Sequence, residues 1–177
     1  RRIAAEDGLA LLSDPLPSEP GDAPFDVAWR LALASPVADA ELDAAVLDTI
    51  RQHERQHLVD SFRYLPVESN LWRSLGLVLS FSLSPSAIEA EMERRAELAA
   101  LAVSPHTELV LAHIADFLGG SVAGSPHHAG FAQLARELTR ELRSLGVAAA
   151  DAQPSGWHRL DRQLVQVAAN RLLQQVP

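Results

Sequence analysis

The chain has 177 residues, a formal net charge of −8 and no cysteine, which excludes disulfides, thiolate zinc sites, iron–sulfur clusters and a cysteine nucleophile. All 15 basic residues are arginine, and without a basic cluster an acidic chain is a poor partner for nucleic acid. Apolar residues make up 47% and aromatics 5%, no run reaches the roughly 18 apolar residues of a membrane span, and the Ala- and Leu-rich balance favours one helical domain with its own core.

In chain order, a short apolar stretch, IAAEDGLALL, precedes SDPLPSEPGDAP, where four prolines in twelve positions predict a loop. In FDVAWRLALA, Phe25, Val27, Trp29, Leu31 and Leu33 alternate with other residues and predict one β-strand. From Asp39 to about Tyr64 the period changes. Leu42, Val46, Ile50, His53, His57, Ser61 and Tyr64 recur every three or four residues, one stripe of a helix that Pro66 stops. Residues 69–82, SNLWRSLGLVLSFS, read as a buried helix.

The next helix enters at Ser84-Pro85, or at a Ser86/Glu89 capping box. A second Ser-Pro pair at 104–105 leads into HTELVLAHIADFL, which ends at Gly119-Gly120. A third, Ser125-Pro126, opens a helix ending at Gly146, and the last helix covers about residues 157–175. Trp29, Trp72 and Trp157 are expected in the core, and His106, His113 and His158 as single structural histidines.

Residues 53–57 read HERQH. Helical side chains at i and i+4 share a face about 5–6 Å apart at Cβ, so two imidazoles there can converge on one cation. The same two histidines continue the stripe of Leu42, Val46 and Ile50, so they are expected to point inward. Asp60 lies on that face too and is a candidate to orient a ligand histidine. Downstream, Glu89, Glu93 and Glu97 stack one turn apart within EMERRAEL and its lead-in. Like charges so placed repel, and either a cation or a solvated face balanced by Arg94 and Arg95 would relieve them.

H-E-x-x-H followed by Glu93-Arg94-Arg95-Ala96-Glu97 resembles the gluzincin-type zinc metallopeptidases. The chain is similar also to a group of bacterial H-E-x-Q-H proteins, through Asp60, EMERRAEL and Pro126-His127. The resemblance implies that Zn²⁺ is held by His53, His57 and Glu93, with Glu97 supporting a ligand histidine. It implies Glu54 as the general base on zinc-bound water, His127 as donor to the oxyanion (Tyr64 as alternative), and a peptide or protein substrate. The chain starts with Arg1 and is expected to be bacterial, either cytoplasmic or exported after loss of an N-terminal signal.

The expected architecture is mainly α. Five to six helices, with one strand or a small N-terminal sheet, form a reduced zincin-like domain over residues 25–177, after a segment and loop at 1–24. Two other classes stay open: a non-catalytic binding or scaffold protein that retains the metal site, and a di-iron carboxylate bundle built on Glu54-x-x-His57.

Overall fold

The computed structural model describes residues 24–65, 68–81, 84–119 and 124–175. Among these residues the chain is helical and forms no strand. Helix α1 spans Pro24–Ala34, and a 3-10 turn at Asp39–Glu41 leads into α2, Leu42–Tyr64. Then come α3 (Leu71–Ser80), α4 (Pro85–Val103), α5 (Thr107–Gly119) and α6 (Pro126–Ser144). A single turn, α7 (Ala149–Ala152), and a 3-10 stretch at Pro154–Arg159 precede α8 (Arg162–Gln174). The helices outnumber the five or six expected. The N-terminal stretch and proline-rich loop up to residue 23 lie outside the described residues, as does Pro66.

The expected strand over Phe25–Leu33 is a helix instead. Val27, Ala28, Leu31 and Ala32 are buried, a spacing of one, three and one that marks a helical face. The alanines, which look like spacers in an alternating pattern, are contact residues. Their small side chains let α1 lie closely along α5, its main partner. The small N-terminal sheet is therefore absent among the described residues.

Local signals set most helix ends. Ser84 Oγ accepts from the Ala87 N–H, and Ser125 Oγ from the His128 N–H at 3.1 Å, each with proline in the first turn. The Ser86/Glu89 box is not the entry. Gly146, just past α6, has a φ of 89°, the left-handed conformation that glycine adopts without steric cost. Helix α8 starts later than expected, because Pro154 opens a 3-10 stretch and Asp161 caps the helix by accepting from Gln163 and Leu164.

Helix α4 is the hub, packing against α2, α5, α6 and α8. Leu98 and Leu101 from α4 are fully buried with Leu111, Ile114, Phe131, Leu134, Leu138 and Trp157. Each such side chain contributes about 1.5–3 kcal/mol relative to exposure. Helix α6 approaches α4 so closely at Gly130 that a Cβ there would strike the Ala90 carbonyl oxygen. Helix α3 departs from expectation. It has no buried residue, and Trp72, expected in the core, is 81% exposed. Apolar density gave α3 a helix, but burial needs an opposing surface, and α3 packs mainly on the end of α2.

Candidate metal centre

The stripe along α2 faces inward. Leu42 and Val46 are buried, Ile50 packs against the core, and the His53 and His57 side chains are 13% and 28% exposed. Helix α4 brings Glu93 to the same point. His53 Nε2 and His57 Nε2 lie 3.0 Å apart. Glu93 Oε2 is 3.4 Å from His53 Nε2, and Glu93 Oε1 is 3.6 Å from His57 Nε2. Four ligands in a tetrahedron at about 2.0–2.1 Å from zinc would stand roughly 3.3 Å apart. The three measured separations bracket that edge.

These ligand atoms form a group that could hold a metal ion. A further observation fits a cation. Glu93 Oε2 is buried and makes no hydrogen bond among the described residues, although it also lies 3.2 Å from His127 Nε2. A buried carboxylate oxygen without a donor is costly, and a metal ion would satisfy it.

Glu97 is almost wholly buried and serves two imidazoles. Its Oε2 is 2.9 Å from His53 Nδ1, and its Oε1 is 3.0 Å from His113 Nδ1. An ionised carboxylate can only accept, so both Nδ1 atoms carry the proton. This leaves the His53 Nε2 lone pair turned towards His57 and Glu93, the tautomer a metal ligand needs. Burial raises the Glu97 carboxyl pKa, but the neighbouring His113 and His53 more than reverse this and hold it well below the usual range. Glu93 is likewise raised by burial and carried below the usual range by His53, His57 and His127. His53 is disfavoured as a cation by burial, yet Glu93 and Glu97 push its pKa up to about 10. The metal-free cluster therefore binds a proton where a metal would bind.

His53 opens on a pocket of about 210 Å³, also lined by Glu54, Glu97, His113, Phe117 and His127. Glu54, one residue past His53, is exposed at its mouth. His127 is 49% exposed, and its ring stacks on Phe117 with centroids 5.8 Å apart and planes 23° from parallel. His113 reads from sequence as a lone structural residue, but it lines this pocket and shares Glu97 with His53. Its one signal was Phe117 four residues on, an aromatic neighbour on the same helical face.

Two expected members sit elsewhere. Asp60 is not at the histidines. It is buried 3.7 Å from Arg95 Nη1. Tyr64 accepts a hydrogen bond from Arg95 Nη1 at 2.7 Å and does not line the pocket that His53 opens on. Arg94 and Arg95 do not balance Glu93 and Glu97. Both guanidinium groups are buried and held by Glu91, at 2.7 Å and 2.8 Å. Helix α4 thus carries acid on one flank for the histidines and an ion network on the other.

No known family's sequence profile matches the chain, and neither a curated protein nor a solved structure is significantly similar to it.

Proposed function

We propose that this chain is a zinc-dependent hydrolase acting on a peptide-like carbonyl. The observation that carries the reading is the convergence of His53, His57 and Glu93 at tetrahedral-edge distances, beside a glutamate that follows the first histidine. Zinc bound there would supply a Lewis acid and a water ionising near pH 7. His53 and His57 would ligate the zinc through Nε2 once the cluster's proton is displaced, and Glu97 fixes the tautomer of His53. Glu54, at the pocket mouth, takes the proton from the attacking water and passes it to the leaving amine. His127, held by Phe117, donates to the oxygen that gains charge.

Two measurements test this. The purified protein should contain about one zinc per chain. Glu54→Gln should keep the zinc and abolish hydrolysis of a mixed peptide pool. A protein without metal, whose stability ignores a chelator, sinks the reading.

One observation favours a second reading, a metal-binding protein without chemistry. Zincins hold their peptide along a sheet edge, and the described residues form no strand. That reading expects zinc to bind and every peptide to survive, in the wild type as in Glu54→Gln. A two-metal centre has less support, since the described residues offer one ligand group.

A further inference from the structure

On the opposite flank of α4, between that helix and α3, lies a second pocket of about 440 Å³. This is within the roughly 300–1,000 Å³ common for small-molecule sites. It shares no lining residue with the histidine pocket. Its wall is the exposed helix, contributing Trp72 and Leu77, with Phe81 just past its end, and its floor is the network of Glu91, Arg94 and Arg95.

Charge there runs against the chain as a whole. Four guanidinium groups line the pocket, from Arg63, Arg73, Arg94 and Arg95, against the single carboxylate of Glu91. Adding Glu137 and Asp60, which meet Arg94 and Arg95 from outside the lining, still leaves an excess cation. The excess is located. Among the described residues, Arg73 makes no hydrogen bond or ion pair, and Arg63 only lies over the Tyr64 ring, its guanidinium carbon 5.7 Å from the centroid. At the floor, Arg95 uses Nε on Glu91 and Nη1 on Tyr64, leaving its Nη2 donors uncommitted.

We propose that this pocket binds an amphiphile with one anionic head and an aliphatic body, a single-chain carboxylate. The head would take the spare Arg95 donors with Arg63 and Arg73, a planar fork suited to carboxylate. The chain would lie along Trp72, Leu77 and Phe81 and give α3 the apolar cover that its own fold withholds. The pairing answers two independent features at once: cations without partners, and an apolar helix without a buried residue.

Titration calorimetry of the full chain with dodecanoate, below its micelle concentration, tests the proposal. Saturable binding of one molecule per chain is expected, with dodecanol and dodecylamine at least tenfold weaker. The double variant Arg63→Gln/Arg73→Gln touches only side chains outside the core and should weaken dodecanoate about tenfold, with dodecanol unchanged. Inorganic phosphate alone should bind far more weakly. Affinity should be the same with and without added zinc. Equal binding of the three amphiphiles, phosphate binding as tight as dodecanoate, dependence on zinc, or no saturable binding would each overturn it.

Discussion

His53 and Glu97 are 44 residues apart in sequence, yet Nδ1 of the one lies 2.9 Å from Oε2 of the other. That contact decides which nitrogen of His53 is free to ligate. Glu97→Gln should therefore lower zinc affinity about 10–100-fold, the usual loss when the partner of a ligand histidine goes. Competition against a chromophoric chelator reads this directly. An unchanged affinity would show that Glu97 serves packing only.

The same cluster sets a pH window for the metal-free protein. His53 is raised from 6.5 to about 10, so its pairing contributes stability fully below 6.5 and loses it as pH rises through 10. Glu93 and Glu97 are lowered from 4.5, so their share is present above 4.5 and lost as pH falls. Both shares are whole between 4.5 and 6.5. The difference in melting temperature between wild type and His53→Gln, followed against pH, should peak in that window and shrink on both sides. A flat difference would mean the pairing is not formed in solution.

On the other flank of α4, Glu91 holds both buried arginines. Burial raises its carboxyl pKa, but Arg94 and Arg95 carry it lower. Removing one partner of such a network strands the rest, at about 3–5 kcal/mol. Urea unfolding of Glu91→Ala should show a loss of that order. Glu89→Ala, two residues earlier and exposed, should stay within about 0.5 kcal/mol. Similar losses at both positions would contradict the network.

Two glycines should respond with opposite sign. Gly130→Ala must force α6 away from the Ala90 carbonyl and should destabilise by about 1–3 kcal/mol. A Cβ at Gly76 in α3 meets nothing within 4 Å, so Gly76→Ala should stabilise that helix by about 0.5–1 kcal/mol. Thermal melts of the two variants suffice. A neutral Gly130→Ala would mean that α4 and α6 are not held so close.

Local interactions were legible in the amino-acid sequence alone. Serine caps before Pro85 and Pro126 act within one turn, and so does the left-handed Gly146 after α6. The four-residue spacing of His53 and His57 fixes their shared face as soon as the helix forms, and the stripe from Leu42 to Ile50 tells which way that face turns. Glu93 was reachable through resemblance to a motif. The tertiary structure decided what depends on distant neighbours. It made α1 a helix, because Ala28 and Ala32 have α5 to pack against. It left Trp72 exposed, because among the described residues α3 packs mainly on the end of α2. It gave Glu97 two histidines, because α4 meets both α2 and α5 there, and it sent Asp60 and Tyr64, nearer the C-terminal end of α2, to Arg95. Spacing along one helix is set by covalent geometry, but which charge answers which is set only when the helices meet.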